Sequence, residues 1–245
     1  MKLNFVYFNL QEHPRGNYML SCLIDAGYIP SAIIEEKSAL AVDGKASLMA
    51  ELNKISSEVP LPLSLKELVG EYDIKCYHVA NHNDEECVSI LKEINPDLIV
   101  LGDTRILKPY MLDIPNLGII NVHPGYLPDV KGNNPYIWAI IHDLPQGCTV
   151  HFIDQGVDTG PIIERRKLFL KRGKSYQHLS AELNVLCGEL LVEALHRVAR
   201  GTIQGLRQSE IAREIPEMGT FRLAPPEIKA LAIEKLNQGT YVHLS

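Results

Sequence analysis

The fully apolar stretch Leu98-Ile99-Val100-Leu101 and the residues on either side of it decide the fold class. A predicted helix, residues 83–94, precedes it, and Asn95-Pro96-Asp97 separates the two. A short strand that is apolar on both faces is typical of a parallel sheet covered by helices on both sides. The same alternation runs from the first strand of the chain to a strand at residues 119–122. It predicts an α/β fold, with a Rossmann-like, mostly parallel sheet and helices on both faces.

The rest of the chain extends this pattern and ends in a less regular segment. Residues 148–153 and 162–170 have the composition of two further strands. Residues 175–199 form the longest predicted helix, with a leucine-rich face turned to the core. Beyond residue 200 the periodicity fades, apart from a helix predicted near the end of the chain. We therefore expect a main domain over residues 1–200 and a short C-terminal extension over residues 201–245.

The composition argues against several classes of protein. The 245 residues are 46% apolar and 22% charged, which is ordinary for a folded globular chain. The longest apolar runs are far shorter than a membrane span, and the N-terminus has no signal-peptide pattern. Five widely spaced cysteines without a Cys-x-x-Cys motif predict reduced thiols, and hence a cytoplasmic protein. The net charge of −6 disfavours a general nucleic-acid binder.

Polar residues collect after the strand at residues 119–122, at the edge of a parallel sheet where ligands bind. Asn121 and His123 are two residues apart, so their side chains leave the strand on the same face. Pro124 favours an extended backbone at His123, which keeps that register. Asparagine, histidine, proline and glycine often only build turns, but their position directly after an apolar strand favours a functional site.

A second polar segment follows the next predicted strand. Asp154 and Asp158 supply carboxylates there, although aspartates in such loops often only make turns. The remaining histidines carry weaker signals. His78 and His82 are four residues apart, which is the spacing of two metal ligands on one helix, but they are interpreted as a surface pair. His151 is expected to have an ordinary packing or surface role. No metal site is expected.

Together the two segments resemble the formyltransferase family that uses 10-formyltetrahydrofolate. The run Asn121-Val122-His123-Pro124-Gly125-Tyr126-Leu127-Pro128 is similar to the family signature Asn-x-His-Pro-Ser-Leu-Leu-Pro, with glycine and tyrosine in place of its serine and first leucine. The run Asp158-Thr159-Gly160-Pro161-Ile162-Ile163 resembles the family's acidic loop, and it lies at a spacing from the first signature that is common in the family. The resemblance covers about residues 1–200 and implies that they form a formyltransferase catalytic domain.

The resemblance implies a catalytic trio of Asn121, His123 and Asp158. Formyl transfer to an amine passes through a tetrahedral intermediate with a developing oxyanion, which the Asn121 amide and a protonated His123 can stabilise. Asp158 beside His123 would raise the pKa of the imidazole and orient it, and could also take the amine's proton. The formyl donor, 10-formyltetrahydrofolate, would bind without a metal at the following residues: Arg105, Ile106, Leu107, Asp154, Gly156 and Val157.

The acceptor follows less directly from the resemblance. The glycine-rich loop of glycinamide ribonucleotide enzymes is missing after the first strand, and residues 201–245 are too few for the C-terminal barrel of methionyl-tRNA formyltransferases. A third branch formylates nucleotide-linked amino sugars. We therefore expect a small-molecule amine, with such an amino sugar first, and nucleic acid is disfavoured. The expected acceptor contacts are Arg15, Tyr126, Asn133, Asn134 and Tyr136.

Three alternatives stay open at this stage. A 10-formyltetrahydrofolate deformylase would release formate without any amine, and a non-catalytic folate-binding module would bind folate without turnover. A methionyl-tRNA or glycinamide ribonucleotide transferase would use those acceptors instead. The basic run at residues 165–174 is interpreted as a solvated strand and turn, with phosphate binding as its alternative. The C-terminal extension is a candidate homodimer interface.

Overall fold

The computed structural model describes residues 3–57, 62–70, 72–202, 205–215 and 219–245. Its strands are β1 (Phe5–Leu10), β2 (Ala32–Glu36), β3 (Lys75–Val79), β4 (Leu98–Asp103), β5 (Gly118–His123), β6 (Lys131–Gly132), β7 (Gln146–Phe152), β8 (Ile162–Leu168) and β9 (Thr220–Phe221). Its α-helices are α1 (Pro14–Asp25), α2 (Ala39–Leu52), α3 (Leu65–Val69), α4 (Glu85–Ile94), α5 (Pro135–Ile141), α6 (Tyr176–Ala199) and α7 (Pro226–Asn237).

Seven of the strands form one central sheet in the order β3-β2-β1-β4-β5-β7-β8. Strands β1 to β5 pair in parallel, whereas β7 pairs antiparallel with both β5 and β8. The crossover helices α1 and α4 fall between parallel strands, as this topology requires. The predicted α/β class with a mostly parallel, Rossmann-like sheet is therefore confirmed.

Strand β1 shows why both faces of the sheet are covered. Phe5 and Tyr7 belong to the larger core cluster, which includes side chains from α1 and α6. Val6 and Phe8 point to the opposite face and belong to a second cluster, which includes side chains from α4. Because side chains alternate along a strand, a strand buried on both faces must be apolar at successive positions.

Capping residues set the start of helix α6 and the end of helix α4. The long helix α6 is capped by Ser175, whose Oγ accepts a hydrogen bond from the backbone N–H of His178. Helix α4 ends at Asn95, which has the left-handed conformation that asparagine tolerates, with φ of 49°. Pro96 then prevents any continuation of the helix before β4.

The C-terminal extension packs against the main domain. Strand β9 pairs with the short strand β6, and α7 packs against α5. Ala232, Leu236 and Tyr241 are buried within the larger core cluster. The helix predicted near the chain end is confirmed, and a division of the chain at residue 200 stays a prediction. Residues 203–204 and 216–218 of the extension lie outside the described ranges.

The interpretation of His82 as a surface residue is wrong. Its side chain is fully buried and stacks on the ring of Phe8 with 4.5 Å between centroids. Its Nε2 lies 3.1 Å from the carbonyl oxygen of Ile34. Burial lowers the pKa of this imidazole to about 4, so the ring is neutral near pH 7. The loop after β3 folds over the ends of β1 and β2, which sequence spacing alone does not reveal.

Candidate active site

A cavity of about 470 Å³ opens at the carboxyl ends of β4 and β5, where ligands bind in open α/β sheets. The ends of β4 and β5 form its floor, and the loops that follow β4 and β7 form one wall. The start of α1, helix α2, the start of α5 and one side chain of α7 form the opposite wall. The two polar segments singled out in the sequence therefore meet in one crevice.

Asn121 and His123 lie on β5 and both face this cavity, as their two-residue spacing predicts. The Nε2 atom of His123 lies 2.9 Å from the carbonyl oxygen of Val130. Because a carbonyl oxygen can only accept, the proton of the neutral ring belongs on Nε2. The Nδ1 atom then carries a lone pair and lies 3.5 Å from an Oδ2 of Asp158. His123 can therefore take a proton at Nδ1.

Asp158 lies between two histidines in the loop after β7. Its Oδ1 is 3.6 Å from Nε2 of His151, and its Oδ2 accepts a hydrogen bond of 2.8 Å from the backbone N–H of Gly132. Burial by itself would raise the pKa of Asp158, but His123 and His151 outweigh it and hold the pKa well below the ordinary value. The carboxylate is therefore charged at any physiological pH.

The net shift of the His123 pKa is downward, against the effect of Asp158. Its side chain is only 5% exposed, and burial lowers the pKa of the imidazole below its ordinary value. Asp158 does raise the pKa, as expected, but burial is the larger effect. His123 is thus mostly neutral at pH 7, and it acts more readily as a proton acceptor than as a standing imidazolium.

His151 is a site residue that the sequence analysis missed. In the antiparallel pairing of β5 with β7 it lies directly opposite Asn121. Its Nδ1 is 2.7 Å from the carbonyl oxygen of Phe152, which places the proton there, so that Nε2 can accept from Nδ2 of Asn121 at 3.3 Å. His151 therefore orients the Asn121 amide, whose second N–H has no partner among the described residues. The strand pairing would have revealed this, but sequence spacing does not.

Gly132 connects the site to the C-terminal extension. Its φ is +92°, and a Cβ at this position would lie 2.1 Å from the carbonyl oxygen of Phe221 on β9. Only glycine fits such a conformation and such an approach. The same residue donates its N–H to Asp158, so the pairing of β6 with β9 helps to fix that carboxylate.

The predicted donor-binding residues of the β4 loop line the cavity. Arg105 donates from Nε to Oε2 of Glu36 at 2.6 Å, and this buried carboxylate holds the arginine in place. Ile106 is 76% exposed and offers an apolar surface, whereas the side chain of Leu107 is buried in the core. Glu36 has no role in the sequence analysis, because only the fold brings β2 beside this loop.

The second loop of the predicted donor site also lines the cavity. Val157 is 39% exposed, and Gly156 lies beside it. The carboxylate of Asp154 is turned into its own loop, where it accepts from the N–H of Gly156 at 3.0 Å and from the hydroxyl of Thr159. The turn-forming interpretation of Asp154 is therefore correct for its side chain.

Four of the five predicted acceptor contacts line the cavity, namely Arg15, Asn133, Asn134 and Tyr136. Arg15 is paired with Asp103 at the end of β4. The Oδ1 of Asn134 accepts from the backbone N–H of Ala224 at 3.0 Å, so the extension holds this side chain.

Tyr126 is not among the residues that line the cavity, and its contact with the acceptor stays a prediction. Its ring packs under the guanidinium of Arg165 at 4.6 Å and near the ammonium of Lys167 at 5.3 Å. Arg166, the next residue of the basic run, pairs with Glu193 on α6 at 2.7 Å. The chain turns away from the cavity directly after β5, and Tyr126 packs instead against side chains of the edge strand β8.

Neither a metal-binding cluster nor a membrane-spanning helix is found among the described residues. Within these ranges no group of three or more His, Cys, Asp or Glu side chains could hold a metal ion. The helices of the same ranges are also too short or too polar to cross a membrane.

Known proteins resemble this chain in sequence and in fold. A methionyl-tRNA formyltransferase from Thermodesulfovibrio yellowstonii is 29% identical over 205 residues, which are 83% of this chain and 62% of that protein. The chain thus spans less than two thirds of the length of this curated relative.

Two solved structures share the fold. The phosphoribosylglycinamide formyltransferase of Streptococcus pneumoniae superposes with a TM-score of 0.62 at 18% identity, over 81% of this chain and 99% of that one. A formyltransferase of Anoxybacillus kamchatkensis, in complex with UDP-4,6-dideoxy-4-formamido-L-AltNAc and tetrahydrofolate, has a TM-score of 0.52 at 24% identity, over 74% and 89% of the two chains. The family model for formyl transferases matches residues 26–195, and the chain belongs to this family.

Proposed function

We propose that this protein transfers a formyl group from 10-formyltetrahydrofolate to the amine of a small-molecule acceptor, with a nucleotide-linked amino sugar as the first choice. The observation that carries the proposal is the convergence of Asn121, His123 and Asp158 on one cavity at the carboxyl edge of the sheet. His151 completes the group by orienting the Asn121 amide.

Asn121, His123 and Asp158 each have a separate role in the proposed acyl transfer. The second N–H of Asn121 can donate to an oxygen that gains negative charge as the amine attacks, and such a donor in a site shielded from water lowers the barrier by about 3 kcal/mol. His123 takes the proton of the attacking amine at Nδ1, and the charged Asp158 beside it stabilises the imidazolium that forms. The imidazolium can then return this proton to the departing nitrogen of the donor as the bond between that nitrogen and the formyl carbon breaks. No nucleophilic side chain is needed, because the amine itself attacks.

The wall formed by the loops after β4 and β7 fits a flat, partly aromatic donor. Ile106 and Val157 present exposed apolar side chains there, against which a flat ring can pack. When bound, 10-formyltetrahydrofolate supplies the activated formyl group. Glu36 keeps Arg105 in place at the edge of this wall, and thereby shapes the donor site.

One of the two solved structures quoted above supports an amino sugar as the acceptor. The Anoxybacillus formyltransferase was solved with a UDP-linked formamido sugar, and its fold covers most of this chain. The opposite wall of the cavity, with Asn133, Asn134 and Tyr136, offers the mixture of amide, hydroxyl and aromatic groups that sugars require.

The test is the release of tetrahydrofolate from 10-formyltetrahydrofolate in the presence of a panel of amines, with UDP-linked amino sugars first. Turnover should require an amine and should fall at least about 100-fold in N121A and H123A. If both variants kept full turnover, the assignment of the site would be wrong. Equal formate release with and without any amine would instead favour the deformylase, and folate binding without turnover would favour a binding module.

Methionyl-tRNA is a second candidate acceptor, because the curated relative quoted above is a methionyl-tRNA formyltransferase. The net charge of −6 opposes it, since contacts to phosphates normally require a basic surface. The same assay with charged initiator tRNA separates the two candidates. Transfer to the tRNA that weakens steeply with added salt would favour the second candidate over the first.

A further inference from the structure

The cavity wall opposite the donor loops contains an ion pair that the proposed reaction does not yet use. Glu51 from α2 and Lys229 from α7 both line the cavity, and Nζ of the lysine lies 2.5 Å from Oε1 of the glutamate. Lys229 thus brings the C-terminal extension into the site. An inference from this pair rests on the proposed function, because it concerns the acceptor of the same reaction.

The lysine is the more accessible partner of the pair. Its side chain is 37% exposed, whereas that of Glu51 is 10% exposed. The ammonium also lies 5.0 Å from the ring centre of Tyr176, which stabilises a cation over its face. An ammonium has three N–H donors, and among the described residues one hydrogen bond, to Glu51, is found for it. Donors therefore remain for a ligand.

Helix α7 is held firmly enough to position this group. Ala232 and Leu236 anchor it in the larger core cluster. At its far end Lys235 donates to Oδ2 of Asp143 at 2.6 Å, outside the cavity. A cation carried by an anchored helix and paired with a buried carboxylate has little conformational entropy left to lose when it binds an anion.

We propose that Lys229 binds an anionic group of the acceptor, a phosphate or a carboxylate that lies apart from the amine to be formylated. A hydrogen bond between an ammonium and an anion is about twice as strong as one between neutral groups, so the contact discriminates against neutral acceptors. Glu51 positions the lysine, and the C-terminal extension determines acceptor choice through it.

The test compares two pairs of acceptors, and in each pair one member carries an anionic group and the other is neutral. The first pair is the 1-phosphate of a 4-amino sugar and the neutral methyl glycoside of the same amino sugar. The second pair is an α-amino acid and its amide. The KM of each acceptor is measured for the wild type, K229M, K229R and K235M. Lys235 is the matched control, because it makes the same kind of ion pair on the same helix but does not line the cavity.

In the wild type the anionic member of one pair should have a KM at least about 10-fold lower than its neutral counterpart, which corresponds to one charged hydrogen bond. K229M should remove this preference, whereas K229R should retain most of it and K235M all of it. The pair that responds shows whether the anion is a phosphate or a carboxylate.

Two results would overturn the inference: an undiminished preference in K229M, or a wild type that prefers neither anionic acceptor although it formylates amines. Transfer by the wild type to no amine at all would contradict the proposed function itself. Because Lys229 is partly exposed, K229M should fold, and its melting temperature compared with that of K229R checks this.

Discussion

Replacing Asp158 with asparagine tests the centre of the proposed mechanism. The substitution keeps the size of the side chain and removes the one charge that lies between His123 and His151, at 3.5 and 3.6 Å from their ring nitrogens. The asparagine oxygen can still accept from the N–H of Gly132, so the loop should keep its position. The change is therefore mainly electrostatic.

The magnitude follows from the separation of the charges. Two unit charges 3.5 Å apart attract by about 5 kcal/mol at an effective dielectric constant near 20, which bounds the support that Asp158 gives to a protonated His123. Water and neighbouring dipoles replace part of this support in the variant. We expect the barrier to rise by about 3 kcal/mol, which corresponds to a turnover at least about 100-fold lower.

The assay needs two measurements and a control. Turnover is followed as tetrahydrofolate release with whichever amine responds in the wild type, and D25N, which removes a charge from an exposed position on α1, serves as the control. The pKa of His123 is followed by NMR titration of the imidazole. In the wild type burial lowers this pKa and Asp158 partly opposes the effect, so D158N should lower the pKa further.

Either measurement can refute the reasoning. A D158N enzyme that keeps more than about a tenth of wild-type turnover would show that the carboxylate does not support proton transfer. A His123 pKa that stays the same or rises in the variant would show that Asp158 does not act on this ring. D25N should behave as the wild type in both measurements.

Three further substitutions test other parts of the molecule. H151Q disturbs the hydrogen bond that orients the catalytic amide, so turnover should fall about 10-fold in the same assay. G132A places a Cβ against the oxygen of Phe221 at positive φ, and should lower the free energy of unfolding in urea by at least about 2 kcal/mol, whereas G219A, in open space, should not. The wild type should lose up to about 3 kcal/mol of stability as the pH falls from about 6.5 towards 4. Burial lowers the pKa of His82, so the folded state resists a protonation that the unfolded state accepts. H82Q should lose less stability over the same pH range.

Each of these has an outcome that contradicts it. Unchanged turnover in H151Q would remove His151 from the site. Equal stability of G132A and G219A would mean that the approach of β9 is not tight. A stability curve in H82Q that falls with acid as steeply as that of the wild type would assign the acid sensitivity to other groups.

The sequence by itself was sufficient for features that depend on local backbone geometry. The alternation of apolar strands with helices determined the sheet class, because side chains alternate along every strand. The two-residue spacing of Asn121 and His123 placed both on one face of their strand. These relations need no knowledge of which strands are neighbours.

Only the tertiary structure decided the features that depend on packing between distant segments. His151 joins the site because β7 pairs antiparallel with β5, and Lys229 joins it because α7 packs on α5. Tyr126 lies outside the cavity lining because the chain turns outward after β5. The pKa of His123 falls rather than rises because burial outweighs its carboxylate neighbour. Desolvation is set by everything that surrounds a group, and a sequence lists only the neighbours along the chain.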